Sequence, residues 1–136
     1  MELRALYRIA RCMVFPSSFE GWGLPIIEAF HEGTPVACAN TTSLPEVAGD
    51  AALLFPIDSP ITIAEQLVRL WRDDALRARL SALGRARADS LSWTRSARVF
   101  RAHYRRITGR ELGEEDREVL NESCECGTPL SPVAAR

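Results

Sequence analysis

The spacing of apolar positions predicts two kinds of element in the first part of the chain. Three short apolar runs, each bounded by loop-forming residues, are typical of buried strands: Cys12–Phe15, Pro35–Ala39 and Ala51–Phe55. Apolar residues at helical spacing predict helices over Glu2–Arg11 and from Leu24 or Pro25 to about His31. Strands separated by helices indicate an α/β fold with parallel strands.

After Phe55 the pattern predicts helices alone. Apolar residues recur at helical spacing in three stripes, at Ala64–Trp71, Leu76–Leu83 and Trp93–Ile107. Ser92 is a suitable N-cap for the last of these helices. From Arg110 onward the chain is acidic and then rich in Ser, Pro and Ala, without periodicity. We therefore predict a domain over residues 1–109 and a mobile tail over residues 110–136.

The composition excludes several classes of protein. A chain of 136 residues, 46% hydrophobic and 26% charged, fits one ordinary globular domain. The net charge of -1 gives no general attraction to nucleic acid or to an anionic membrane. No apolar run reaches the ~20 residues needed to span a bilayer, and the N-terminus lacks the apolar core of a signal peptide. We therefore expect a cytoplasmic protein with no transmembrane segment and no nucleic-acid partner.

The four cysteines do not form a paired Cys-x-x-Cys framework. Cys12 and Cys38 lie in or beside apolar runs, which favours small buried side chains in a reducing compartment. The alternative for Cys124 and Cys126 is a metal or redox pair, but two thiolates without two further ligands make a poor zinc site. We therefore predict no metal site.

The stretch "FPSSFEGWGLPIIEAF" contains two glutamates, Glu20 and Glu28, eight positions apart around a glycine-rich turn. A turn that leaves the carboxyl end of a parallel strand and enters a helix is where open α/β sheets bind ligands, because the helix start offers unpaired N–H groups. Gly21 and Gly23 would let a ligand approach the backbone closely. The predicted amide donors are those of Trp22, Gly23, Leu24 and Ile26.

The two carboxylates could hold one ligand at two points. Glu28, predicted in the first helical turn, can accept hydrogen bonds from both hydroxyls of a ribose. Glu20, before the turn, can accept a sugar hydroxyl or stabilise positive charge at an anomeric carbon. However, two glutamates at this spacing also occur by chance, and an acid at a helix start is stabilising without a ligand. The pair alone therefore leaves both a ligand site and a structural role open.

The longer stretch "FPSSFEGWGLPIIEAFHEGTPVACANTTSLPEVAGDAALLF" resembles the donor-binding segment of the retaining glycosyltransferases of family 4, which have the two-domain GT-B fold. The matching pieces are a strand ending in Pro-Ser, a Glu-Gly-aromatic-Gly-Leu-Pro turn, a second Glu before Ala, and then Gly-x-Pro-Val, Leu-Pro-Glu-Val and Gly-Asp-Ala-Ala. "LSW", residues 91–93, is similar to the family's entry to its final helices. The resemblance covers about residues 3–108, and Trp22 stands where the family commonly has Phe.

This resemblance implies roles for particular residues. Glu20, the catalytic candidate, would contact the donor sugar and its anomeric region, and Glu28 would bind the ribose of the nucleotide-sugar. Thr41 and Thr42 lie where the family places a loop that faces donor and acceptor. No metal and no cofactor other than the nucleotide-sugar substrate is expected. The backbone that would meet sugar and diphosphate belongs to Gly21, Trp22, Gly23 and Leu24.

The resemblance also implies half of a doubly wound Rossmann-like domain, with three parallel strands that correspond to strands four to six of a six-stranded sheet. The family's N-terminal acceptor-binding domain and the first half of its C-terminal domain have no counterpart in this sequence. Because the ligand crevice of such a sheet lies between strands one and four, the chain would supply one wall of the site. We expect it to be inactive alone, and to be either truncated or a part that works with a separately encoded glycosyltransferase N-terminal part.

Two other interpretations of the sequence compete with this one. A non-catalytic remnant or interaction module would form a homodimer through the open edge of the Cys12–Phe15 strand. A fragment of a Rossmann oxidoreductase would need a Gly-x-Gly-x-x-Gly fingerprint and a later ribose-binding acid, which this sequence lacks. The donor-binding part of a glycosyltransferase is therefore the leading prediction.

Overall fold

The structure, a computed structural model, describes residues 3–125, with the side chains of residues 3–121. The chain divides into two compact units between Ser90 and Leu91. The predicted domain over residues 1–109 therefore includes the first unit and the first helix of the second.

The first unit is an α/β unit built on three short strands. The strands are parallel and lie in the order β1-β2-β3, with Val14 opposite Ala37 and Ala37 opposite Leu53. The predicted Rossmann-like fold is confirmed, and each predicted strand is found within one residue of its expected bounds. In chain order the elements are α1 (Leu3–Ile9), β1 (Met13–Phe15), α2 (Leu24–Glu32), β2 (Val36–Ala39), α3 (Leu44–Ala48), a 3-10 turn (Gly49–Ala51), β3 (Ala52–Phe55), α4 (Pro60–Arg72) and α5 (Asp74–Ser90).

The core forms around the central strand β2, whose four residues are all buried, whereas those of β1 are half-buried. Helices α2 and α3 contribute the largest apolar side chains, among them Ile26, Phe30 and Leu44. Gly84 lets helix α5 approach Phe30 closely, because a Cβ at this position would lie 2.7 Å from the phenyl Cδ1. This packing fixes the position of α2, the helix on which the candidate site depends.

Both ends of helix α2 are set by glycine. Gly23 precedes the helix in the left-handed conformation, and Pro25 lies in the first turn, where its missing N–H needs no partner. Gly33 ends the helix, also in the left-handed conformation, and its amide bonds back to the carbonyl of Phe30. Arg85 of helix α5 donates to the carbonyls of the last helical residues. The helix therefore begins and ends where the sequence predicts.

Helix α1 is joined to helix α2 by two ion pairs. Arg4 donates to Oε1 of Glu32 at 2.6 Å, and Arg8 donates to Oε2 of the same carboxylate. The two guanidinium groups hold the pKa of Glu32 below its usual range. The two helices are therefore fixed against each other at the end of α2 opposite the glycine-rich turn.

The second unit contains helices α6 (Trp93–Ile107) and α7 (Glu114–Glu125). Ser92 caps α6 as predicted, because its hydroxyl accepts a hydrogen bond from the amide of Arg95 at 3.1 Å. The predicted mobile tail begins at residue 110, and within it the structure forms helix α7 over Glu114–Glu125. Buried Asp116 receives hydrogen bonds from Arg101 and Arg105 of α6, a long-range contact that the sparse apolar pattern of α7 does not reveal. The rest of the predicted tail, residues 126–136, lies outside the described residues.

Two further predictions concern cysteines and membrane spans. Cys38 is buried on β2, as predicted, while Cys12 is half-buried. The Cys124 side chain and Cys126 lie outside the described part of the chain. Within residues 3–125, every helix is too short or too polar to cross a membrane.

Candidate functional site

Two loops meet at the carboxyl edge of the sheet. One, residues 16–23, leaves β1 and enters α2; the other, residues 40–43, follows β2. Because the strands are parallel, both loops lie at the edge where open α/β sheets bind ligands. They are joined by the hydroxyl of Thr41, which donates to the carbonyl of Ser17 at 3.0 Å, and by that of Ser43, which donates to the carbonyl of Glu20 at 3.0 Å.

Glu20 is held by the same two loops. The hydroxyl of Ser17 donates to its Oε1 at 2.9 Å, and its own amide donates to Oγ1 of Thr42 at 3.2 Å. The residue is half-buried, so its carboxylate is fixed while part of it still meets solvent. The arrangement leaves Oε2 and further lone pairs of Oε1 available to accept hydrogen bonds.

Thr41 and Thr42, which lie in the loop predicted to face donor and acceptor, brace the Glu20 loop through their hydroxyl groups. Thr42 adopts a left-handed conformation with φ 48°, which is uncommon for a β-branched residue. Such strain persists only where neighbouring contacts enforce it, and it is concentrated at functional sites. The structure therefore places Thr42 beside Glu20 and gives it a positioning contact.

Ser17 and Ser43 were not among the residues predicted from the sequence. Both are small hydroxyl residues at loop positions, Ser17 three residues before Glu20 and Ser43 directly before helix α3. Ser and Thr hydroxyls in such loops commonly bond to nearby backbone and side chains. That local preference was the one signal in the sequence that pointed to them.

The turn at Gly23 requires a glycine, because φ is +81° and a Cβ would lie 2.6 Å from Cδ2 of Leu44. Gly21, in contrast, has open space around its Cα. Of the four predicted amide donors, Ile26 was wrong, since its amide already bonds to the carbonyl of Gly23 at 3.0 Å. In the described part of the chain, the amides of Trp22, Gly23 and Leu24 donate no hydrogen bond.

Glu28 was predicted in the first turn of α2. It lies in the second turn, because the helix begins at Leu24. The dipole of the helix start therefore acts on it less than expected, since that effect falls off within the first turn. Its carboxylate is exposed, and its Oε2 accepts a hydrogen bond of 3.2 Å from the hydroxyl of Tyr7. Burial, together with the Glu28 carboxylate, raises the pKa of Tyr7 above its ordinary value.

An open cleft of about 270 Å³ lies beside Glu28, between helices α1 and α2. Its walls combine an apolar side chain with two carboxylates, a guanidinium, a phenol and an imidazole. The residues that line the cleft are Leu3, Arg4, Tyr7, Glu28, His31 and Glu32.

Comparison with known proteins matches residues 1–87 to the family model described as glycosyl transferases group 1. The chain is 45% identical, over 92 residues, to O-antigen chain mannosyltransferase B of Escherichia coli, covering 68% of this chain and 24% of that protein. It is 37% identical, over 98 residues, to D-inositol 3-phosphate glycosyltransferase of Streptomyces bingchenggensis (strain BCW-1), covering 71% of this chain and 22% of that protein.

A third relative is the serotype-specific mannosyltransferase WbdA of Escherichia coli, 35% identical over 98 residues. The match covers 72% of this chain and 12% of that protein. The chain thus spans a quarter or less of the length of these three relatives. All three are named as enzymes that transfer sugars.

Proposed function

Because the chain belongs to the family of glycosyl transferases group 1, we propose that it is the donor-binding portion of a retaining glycosyltransferase with the GT-B fold. The whole enzyme transfers a sugar from a nucleotide-sugar to an acceptor. In the retaining reaction the bond from the anomeric carbon to the diphosphate breaks and a bond to the acceptor oxygen forms on the same face. The acceptor proton passes to the departing diphosphate.

The observation that carries this proposal is the fixed position of Glu20 beside the start of helix α2. Its carboxylate, held by Ser17, lies in the same loop as the amides of Trp22, Gly23 and Leu24. Amides at a helix start favour the anionic diphosphate, and a carboxylate favours the sugar hydroxyls and the positive charge that develops at the anomeric carbon. We therefore assign Glu20 to the sugar and the three amides to the diphosphate.

Glu28 is the candidate for the ribose. It is exposed, and among the described residues its Oε1 accepts no hydrogen bond while Oε2 is bonded to Tyr7, so Oε1 can accept from a ligand. A carboxylate can accept hydrogen bonds from both hydroxyls of a vicinal diol. In a nucleotide the ribose offers this pair of neighbouring hydroxyl donors, whereas the phosphate and the base do not. In this proposal the donor lies along the first two turns of α2, with its sugar near Glu20 and its ribose near Glu28.

The proposed reaction needs groups besides the two glutamates and the three amides of this chain. Loop 16–23 contains no basic residue, so the departing diphosphate must be neutralised by a cation from elsewhere. We therefore propose that the 136-residue chain binds the donor weakly and transfers no sugar alone, and that it works in the cytoplasm with a glycosyltransferase N-terminal part. The proposed reaction uses no metal and no cofactor besides the nucleotide-sugar.

The test is titration of the chain with UDP, GDP and ADP sugars and with the free nucleotides, followed by Trp22 fluorescence and NMR shifts. We expect millimolar binding of at least one nucleotide-sugar. Glu28→Gln should weaken binding of both nucleotide and nucleotide-sugar, and Glu20→Gln should weaken that of the nucleotide-sugar alone. Glu65→Gln, an exposed glutamate on helix α4, is the matched control. Absence of binding, or equal effects of all three substitutions, would contradict the proposal.

A second candidate is supported by the edge of the sheet. Among the described residues, β1 pairs only with β2, so its other edge carries unpaired N–H and C=O groups. Such an edge can pair with a second copy of the chain, giving a non-catalytic module that dimerises. Light scattering separates the candidates: a monomer that binds a nucleotide-sugar supports the first, and an obligate dimer without nucleotide affinity supports the second.

A further inference from the structure

We propose that Tyr7 is a positioning residue for Glu28, which it orients to receive the two hydroxyls of a ribose. This inference rests on the proposed function, and it adds a residue from helix α1, outside the loop and helix that carry the two glutamates. Its basis is the hydrogen bond of 3.2 Å from the Tyr7 hydroxyl to Oε2 of Glu28.

The phenol of Tyr7 is held in place by contacts of its own backbone. The carbonyl of Tyr7 accepts a hydrogen bond of 2.7 Å from the hydroxyl of Thr34, the residue after the Gly33 that ends helix α2. The pairs that Arg4 and Arg8 make with Glu32 secure the same two helices. Helix α1 therefore presents the Tyr7 hydroxyl to Glu28 from a fixed direction.

An exposed glutamate on a helix otherwise samples several rotamers, and fixing a long charged side chain on binding costs up to about 2 kcal/mol of rotamer entropy. The hydrogen bond from Tyr7 restricts Glu28 before any ligand arrives. Tyr7 and Glu28 both line the open cleft, so this hydrogen bond holds the Glu28 carboxylate at the wall of the cleft. A side chain ordered in advance binds its ligand at a smaller entropic cost.

The Tyr7 hydroxyl remains a donor across the neutral pH range. A tyrosine loses its proton near pH 10 in water, and burial and the neighbouring carboxylate shift the pKa of Tyr7 upward from there. A phenol that stays protonated can keep donating to the carboxylate. Tyr7 can therefore serve as the donor of the positioning contact at neutral pH.

The first test compares Tyr7→Phe with the unchanged 136-residue chain. The substitution keeps the ring and removes the hydroxyl. We expect Tyr7→Phe to weaken binding of UDP, GDP or ADP by about three- to tenfold, which corresponds to roughly 0.7 to 1.4 kcal/mol. Binding of the matching 2′,3′-dideoxynucleotide should be unchanged, because that ligand has no ribose diol for Glu28 to hold. Tyr104→Phe in the second unit is the control.

The outcomes separate the inference from the proposed function. If Glu28→Gln weakens ribonucleotide binding and Tyr7→Phe does not, the role of Tyr7 is refuted while the role of Glu28 stands. If Tyr7→Phe weakens the dideoxynucleotide equally, Tyr7 supports the fold rather than the ribose contact, and the inference fails. If Glu28→Gln leaves ribonucleotide binding unchanged, the proposed function fails at this residue and takes the inference with it.

A second measurement needs no ligand. In a Tyr104→Phe background Tyr7 is the sole tyrosine, so its titration can be followed by absorbance or by carbon NMR of the ring. Glu28→Gln should lower the pKa of Tyr7 toward its ordinary value, because the variant removes the negative charge that accepts the bond. An unchanged pKa of Tyr7 would mean that the contact is not formed in solution, which overturns the inference.

Discussion

The hydroxyl of Ser17 donates a 2.9 Å hydrogen bond to Oε1 of Glu20, three residues later in the loop that joins β1 to helix α2. The carbonyl of Ser17 in turn accepts from the hydroxyl of Thr41, which belongs to the loop after β2. Ser17 therefore couples the proposed sugar-binding carboxylate to the neighbouring strand connection.

Ser17→Ala should weaken nucleotide-sugar binding by about threefold and leave free nucleotide binding unchanged, because Glu20 is assigned to the sugar. The free energy of unfolding should fall by about 1 kcal/mol or less, as for one partly solvated hydrogen bond. Ser18→Ala, at the exposed neighbouring serine, is the control. Calorimetric or NMR titration with both ligands measures the effect; equal weakening of nucleotide and nucleotide-sugar would contradict the assignment of Glu20.

Gly23→Ala should destabilise the chain by about 1 to 3 kcal/mol, through the left-handed conformation and the close approach to Leu44. Gly21→Ala is a matched control in the same turn, because its Cβ would meet no atom within 4 Å. We expect the control to stay within about 0.5 kcal/mol of the unchanged chain. Urea unfolding of the unchanged chain and the two variants measures these differences in stability. Similar midpoints for both variants would show that the turn is not held as described.

Acid should loosen helix α7 from α6. The guanidinium of Arg105, with the amide of Gly113 and the guanidinium of Arg101, holds the pKa of Asp116 below its ordinary value. A carboxyl with a lowered folded-state pKa contributes its full stability above the ordinary Asp pKa of about 3.9, and that contribution is lost as the pH falls from there through the folded-state pKa. The protection factors of the α7 amides, which are hydrogen-exchange rates corrected for the intrinsic rate at each pH, should therefore fall below about pH 4.

Asp116→Asn provides the comparison for this acid response. The variant cannot titrate at position 116, so its α7 amides should exchange faster at neutral pH and show a smaller change on acidification. Glu118→Gln, at an exposed position of the same helix, should behave like the unchanged chain. Equal acid responses of Asp116→Asn and the unchanged chain would exclude Asp116 as the group responsible.

Cys38 should resist thiol reagents in the folded protein. It is fully buried on β2, and burial raises the pKa of Cys38 to about 12, so almost no thiolate is present at neutral pH. N-ethylmaleimide followed by peptide mass spectrometry should find Cys38 unmodified in buffer and fully modified in guanidinium chloride. Half-buried Cys12 should react faster than Cys38. Rapid native labelling of Cys38 would contradict the packing of the central strand.

The strands and helix α2 could be predicted from the sequence because local signals coincide there. The apolar run before Pro16 ends where the strand ends, and Gly23, Pro25 and Gly33 each suit the conformation found at their position. A one-residue error remained at the start of each strand, since an apolar residue beside a strand is not distinguished from one within it. Local sequence signals were therefore sufficient to predict the strands and the helix that carry the candidate site.

The contacts that organise the site could not be predicted in the same way. Tyr7 meets Glu28, 21 positions later, only because helix α1 packs beside α2. Likewise, the link from Thr42 to Glu20 depends on the adjacency of β1 and β2. Neither pair has a periodic or motif signal in the sequence, because the partners meet only through the packing of separate elements. The turn of α2 that holds Glu28 was also misplaced, although the helix start at Leu24 was predicted, because Glu28 then lies beyond the first helical turn.

The loop that carries Glu20 is tied to its neighbour by Thr41, Thr42 and Ser43. It therefore behaves as a rigid wall and not as a lid that folds over its ligand. Little conformational entropy remains for a donor to remove when it binds there. Differences in affinity among nucleotide-sugars should accordingly reflect the chemical groups that each ligand presents to this loop, and not the cost of ordering the protein. These differences should appear mainly in the dissociation rates of the ligands.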